Sequence, residues 1–245
     1  SFLFLALAFS MKSEAKVTLP SILGDNMVLQ QQAEVKLWGK ARPNATVTVK
    51  TSWNGQTYKF SSDGKGGWSL TVSTPVAGGP YKIIFNDGEL LTLQNVLIGE
   101  VWFCSGQSNM EMPMGCFDRQ PVRGANDIIA KAKPSTPIRM YTTDSKDGRW
   151  VRQFSKTPAE DCQGEWLENT PVNVSHISAV SYYFARYIQE VLEVPVGIVV
   201  STWGGSKVEA WMSRESIKPF SSIDLSILDN DAEVKNPTAT PCVLY

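Results

Sequence analysis

Ser108 follows an apolar run and sits in a Gly106-Gln107-Ser108-Asn109 turn, inside the stretch GEVWFCSGQSNMEM at residues 99–112. Residues 96–104 are mostly apolar and alternate poorly, which predicts a strand buried on both faces of a parallel sheet. Ligands of such sheets bind beyond the carboxyl ends of the strands, the place where this serine would be displayed. If a helix starts at once after the strand, its first N–H groups lack intrahelical partners and can hold an oxyanion. The chemistry on offer is therefore acyl transfer to a serine hydroxyl. The order is not the Gly-x-Ser-x-Gly elbow, because Met110 stands where that pattern needs its second glycine. Taken alone, a serine in a glycine-rich turn is more often only a turn residue.

A second turn of the same kind comes later in the chain. Residues 196–202 form an apolar, β-branched run that predicts another buried strand, and it leads into Trp203-Gly204-Gly205-Ser206, with a short helix expected over residues 207–212. Glycine lets a backbone N–H approach a reacting oxygen without a Cβ in the way. Between the two strands the clearest helix spans residues 178–192, capped at Ser175 or Ser178, with apolar positions at Val180, Tyr183, Phe184, Tyr187, Ile188 and Val191, and Pro195 closing it. A shorter helix is expected over residues 126–133 and a strand over 138–142. Strand, helix, strand implies a right-handed crossover and parallel pairing, an α/β architecture that brings both turns to one sheet edge.

Before residue 97 the pattern is of strands alone. Short alternating runs at residues 35–38, 45–50, 56–60, 68–72 and 81–85 are separated by turn sequences such as Asn54-Gly55 and Gly78-Gly79-Pro80. That spacing predicts an all-β sandwich. Trp38, Trp53 and Trp68 are its candidate sugar-contacting residues, with core packing as the plainer role.

These motifs, taken together, resemble the sialate O-acetylesterase family of SGNH-type carbohydrate esterases. The resemblance rests on GQSNM preceded by GEVW, on STWGGSKVEAW at residues 201–211, and on LPSILGDNMVLQQ, AGGPYKI, DCQGEW and ISAVSYYFAR in the same order from Val17 onward. It implies a β-sandwich domain at residues 17–97 and, at 98–245, the first part of a three-layer α/β/α hydrolase domain. It implies Ser108 as nucleophile, with its own N–H and that of Gly204 or Gly205 as oxyanion donors; the choice of glycine stays open. Gln107 and Asn109 become candidate substrate-binding residues, and Asn109 also ties down its loop. Glu209 anchors the second turn. The implied substrate is an acetylated glycan or sialic acid, and the chemistry needs neither metal nor organic cofactor.

One departure from the family pattern bears on activity. A serine nucleophile needs a base and a group to orient it. The resemblance implies a late Asp-x-x-His segment and a Gln-Gly-Glu-x-Asn segment, and neither occurs in this sequence. On this reading about half of the catalytic domain is absent from these residues, and this chain alone is expected to be inactive. The single histidine, His176, mimics Asp-x-x-His with Asn173 in the acid position, and is read as an exposed or capping residue. Two alternatives stand beside the esterase: a non-catalytic carbohydrate-binding protein, and an SGNH-type hydrolase of other esters.

Composition excludes some partners. With 23 basic and 24 acidic residues and no basic stripe, the chain is not built for nucleic acid. An apolar content of 42% over 245 residues suffices for a sizeable core. Residues 1–10, SFLFLALAFS, are too short to span a bilayer and match the apolar core of a secretory leader, so residues 1–16 are read as a leader remnant and the protein as secreted or periplasmic. The four cysteines show no metal-ligand spacing; in an oxidising compartment one disulfide could form, with no pairing specified.

Overall fold

The structure is a computed structural model that describes residues 17–143, 145–146, 149–150 and 152–245. The expected leader at residues 1–16 lies outside the described residues. The first part of the chain gives seven strands: β1 (Val28–Gln30), β2 (Glu34–Lys40), β3 (Thr46–Thr51), β4 (Thr57–Ser61), β5 (Gly67–Ser73), β6 (Gly78–Asn86) and β7 (Leu90–Gly106). Then follow α1 (Ser108–Glu111), α2 (Ala125–Lys131), β8 (Ile138–Thr142), β9 (Ser145–Lys146), β10 (Arg149–Trp150), β11 (Trp166–Glu168), α3 (Pro171–His176), α4 (Ala179–Leu192), β12 (Val196–Thr202) and α5 (Arg214–Ile217).

One mixed sheet organises the molecule, in the order β11-β8-β12-β7-β6-β3-β4 with β1 joined to β7. Its spine is β7, 17 residues long. The first half of β7 pairs antiparallel with β6, from Asn86↔Leu90 to Gly78↔Ile98. The second half pairs parallel with β12, from Val196↔Glu100 to Thr202↔Gly106, and β8 continues the parallel set. The predicted parallel pairing is thus present, and β7 passes straight through residue 97.

The region read as a β-sandwich consists of the β4-β3-β6-β7 half-sheet with a β2–β5 antiparallel ribbon against it. Leu37, Trp68 and Val72 of the ribbon share a core with Val47, Val49, Ile83 and Phe85 of the half-sheet. Burial of these side chains removes apolar area from water and so favours the layered arrangement. A second core joins Cys104, Ile138, Met140, Val196, Ile198 and Val200 to Val174, Tyr182 and Ala185 of the helices and to Ile177 between α3 and α4. The result is an α/β fold around a large central sheet.

Three expectations need correction. The end of β7 is not buried on both faces: Trp102 is 42% and Phe103 68% exposed. In addition, β1 stops opposite Gly99, so past that residue β7 has a strand partner only on the β12 side among the described residues. Second, α4 does carry its predicted cap, with Ser178 Oγ accepting from the Ser181 N–H at 3.2 Å, but it turns its other face inward. Ala179, Ser181, Tyr182 and Ala185 are buried and Ile188 packs against the core as expected, whereas Val180, Tyr183, Phe184, Tyr187 and Val191 are exposed. Small residues allow close approach to β8 and β12, and this outweighs the larger apolar stripe. Third, the helix expected at residues 207–212 is a single 3-10 turn, Val208–Trp211. Among the described residues, Cys104, Cys116 and Cys242 form no disulfide. No helix among the described residues is long and apolar enough to cross a membrane.

Candidate functional site

The register of β7 against β12 sets Gly106 opposite Thr202, so both strands release the chain at the same sheet edge. Just beyond that edge, the Gln107 carbonyl accepts the N–H groups of Met110 and Glu111, each at 2.9 Å, which starts α1 at Ser108. The Ser108 hydroxyl is exposed at this turn. Its own N–H heads the helix and makes no hydrogen bond among the described residues.

The turn after β12 lies directly against it. Trp203 donates its N–H to the Gly106 carbonyl at 3.1 Å, and the Gln107 side chain donates to the Ser206 carbonyl at 2.7 Å. Gly204 is so close that a Cβ on it would lie 3.6 Å from Ser108 Cβ and 2.8 Å from the Glu111 carboxylate. The next residue, Gly205, takes the left-handed conformation at φ +76°, with open space where a Cβ would be. Ser206 closes the turn by donating to the Trp203 carbonyl at 2.7 Å while accepting from the Trp211 indole at 2.8 Å. Glu209 contributes through its backbone carbonyl, which accepts the Cys242 N–H at 2.9 Å.

The fold therefore brings together Gln107, Ser108, Gly204 and Gly205. Asn109 stands exposed beside them and makes no side-chain hydrogen bond among the described residues. His176 is the last residue of α3, which packs on α2, whereas α1 packs on β7, α4 and β12. Among the described residues no imidazole hydrogen-bonds to Ser108. Cys104 is not a competing nucleophile, because burial pushes its thiol up from its ordinary value and so disfavours the thiolate; a hydrogen bond with Ser181 opposes this only in part.

Two residues absent from the sequence reading complete the arrangement. Glu111, on the last position of α1, accepts the Gly204 N–H with one carboxylate oxygen and ion-pairs with Arg152 through the other. Arg152 also donates to the Thr202 carbonyl and lies over the Trp203 ring at 4.9 Å. Glu111 belongs to the GQSNME run and was legible there as a neighbour of the serine. Arg152 comes from a segment with no local pattern, 41 residues further along.

An apolar hollow of about 620 Å³ opens on the face of the sheet that carries Phe103, Ser105, Val199 and Ser201, with Trp211 and Leu244 at its wall. Ser108 is not in its lining. The described residues contain no group of three or more His, Cys, Asp or Glu side chains able to hold a metal ion.

The fold and site together define an α/β protein whose parallel strands present a serine turn and a diglycine turn side by side at one edge. The chain is 29% identical over 216 residues to the human sialate O-acetylesterase, covering 81% of this chain and 39% of that protein. It is 30% identical over 213 residues to the rat sialate O-acetylesterase, covering 81% and 38%. A solved carbohydrate acetylesterase from Xanthomonas citri superposes with a TM-score of 0.78 at 32% identity, over 94% of this chain and 47% of that one. No family model matches. The chain belongs to the sialate O-acetylesterase family and spans less than half the length of these relatives.

Proposed function

We propose that the protein is a carbohydrate O-acetylesterase in which Ser108 is the nucleophile. The observation that carries this reading is the contact between the two turns: an exposed serine hydroxyl with unpaired N–H groups of Ser108 and Gly205 beside it. In the proposed reaction the Ser108 Oγ bonds to the acetyl carbonyl carbon and gives up its proton to a base. The carbonyl oxygen becomes an oxyanion facing the N–H groups of Ser108 and Gly205. The bond from carbon to the sugar oxygen then breaks, and the sugar leaves as an alcohol with the proton returned by the base. Water repeats the attack on the acetyl-enzyme, releasing acetate and restoring the serine. Exposed Gln107 and Asn109 flank the serine where the sugar would lie, although the Gln107 amide nitrogen is already committed to Ser206.

The names of the relatives support acetylated carbohydrate as the substrate class. The base for the first step is not supplied by the described residues, so the test uses protein made from the whole gene. That protein is expected to release acetate from acetylated sialic acid or xylan, and Ser108→Ala is expected to reduce kcat by about 10³-fold or more with KM little changed. Binding of the acetylated glycan without Ser108-dependent release of acetate would replace this reading with a carbohydrate-binding role.

A further inference from the structure

We infer that Glu111 is a positioning residue that, braced by Arg152, takes up the Gly204 N–H and leaves Gly205 as the glycine donor of the oxyanion site. This rests on the serine-esterase reading above and deepens it. Two adjacent glycines offer two candidate N–H groups, and sequence alone does not choose between them. The Gly204 N–H already points into the Glu111 carboxylate, with which it makes a charge-assisted hydrogen bond. A group held by a carboxylate is unavailable to a developing oxyanion and would bring negative charge next to it. The Gly205 N–H has no acceptor among the described residues.

The same geometry makes Glu111 a strut rather than a base. One of its oxygens is bound to Gly204 and the other to the Arg152 guanidinium, and the side chain is largely buried. Arg152 is in turn fixed at three points, by Glu111, by the Thr202 carbonyl and by the Trp203 ring. The chain of contacts runs from the end of β12 through Arg152 and Glu111 to Gly204, and crosses from the diglycine turn to the serine turn. A donor site works when its N–H groups are already aimed before the charge develops, and this bridge fixes one turn relative to the other.

Amide exchange and steady-state kinetics test the assignment separately. In the 245-residue chain, the Gly204 amide proton should resonate downfield and exchange slowly, and the Gly205 amide should exchange fast. Glu111→Ala should accelerate Gly204 exchange by tenfold or more, as loss of about 1.4 kcal/mol of protection implies, with Gly205 unchanged. In protein made from the whole gene, Glu111→Ala should lower kcat by about 10- to 100-fold, less than outright loss of an oxyanion donor, with KM within about twofold. Glu111→Gln keeps an acceptor oxygen for Gly204 and should recover part of that loss. Arg152→Ala should lower kcat in the same way, and the double variant should be no worse than Glu111→Ala alone, because both act through one bridge. Unchanged Gly204 exchange in Glu111→Ala, or unchanged kcat, would overturn the assignment. So would a Glu111→Gln enzyme as inactive as Ser108→Ala with Gly204 still protected, which would make Glu111 the base. Absence of Ser108-dependent turnover in the parent protein would count against the esterase reading instead, and the exchange result would still decide which glycine is bound.

Discussion

Gly204 and Gly205 are neighbours in the chain, yet a methyl group would meet a different obstacle at each. At Gly204 the new Cβ would lie 2.8 Å from the Glu111 carboxylate and 3.6 Å from Ser108 Cβ, so Gly204→Ala must displace the carboxylate. The expected outcome in protein from the whole gene is a fall in kcat like that of Glu111→Ala, measured on the same acetylated substrate. At Gly205 the space is open but φ is +76°, a region that costs an L side chain roughly 1–2 kcal/mol. Gly205→Ala should therefore show that loss as a lower urea midpoint. Ser108 and both glycines were legible because each lies in a turn directly after an apolar run. Glu111 was visible but unassigned, and Arg152 carried no signal, since their pairing joins positions 41 apart.

Among the elements, α4 separates pattern from packing. Its sequence advertises an apolar stripe at Val180, Tyr183, Phe184, Tyr187, Ile188 and Val191, but the helix lies on the sheet by the face of Ala179, Ser181, Tyr182 and Ala185, and of the stripe only Ile188 packs against the core. Helices approach a sheet most closely where side chains are short, and Ala185 is fully buried while Val191 is 59% exposed. Tyr182 secures the face through its hydroxyl, which donates to Asn169 Oδ1 at 2.6 Å. Ala185→Leu should thus overpack the seam and destabilise the fold by about 1–3 kcal/mol. Val191→Lys should change stability by less than about 0.5 kcal/mol. Denaturant unfolding of the two variants checks the orientation; a reversed order would mean that the apolar stripe is the buried face. The strands behaved differently: the runs expected at residues 35–38, 68–72 and 81–85 fall within β2, β5 and β6, and those at 45–50 and 56–60 match β3 and β4 to within one residue. A strand that packs one face on a core shows its alternation locally, whereas the inward face of a helix depends on what it meets.

The whole molecule presents a sheet whose central strand is only partly enclosed. Beyond Gly99 the outer edge of β7 has no strand partner among the described residues, although the Gln30 side chain accepts the Val101 N–H at 2.9 Å, and Trp102 and Phe103 are exposed on its two faces. Trp102 meets Phe184 edge-on, with ring centroids 5.0 Å apart, so the exposed stripe of α4 continues onto the strand. Contiguous apolar surface with an open strand edge favours association. The 245-residue chain should bind a hydrophobic dye such as anilinonaphthalene sulfonate and should self-associate with rising concentration in sedimentation. Phe103→Lys with Tyr187→Lys should reduce both effects, with the unfolding midpoint little altered. Strong association that persists in the double variant would place the sticky surface elsewhere.

What the sequence determined by itself is local: most of the strands, a serine cap at the start of α4, the serine turn, the diglycine turn and the family to which the chain belongs. Each is written in residues close together, because hydrogen-bond geometry and alternation act over a few positions. Tertiary structure alone decided that β7 runs unbroken from one half of the sheet to the other, that α4 turns its small face inward, and that Arg152 reaches Glu111. Those outcomes depend on which surfaces meet. Only after β12 has paired with β7 do Gly204 and Glu111 come within hydrogen-bonding distance.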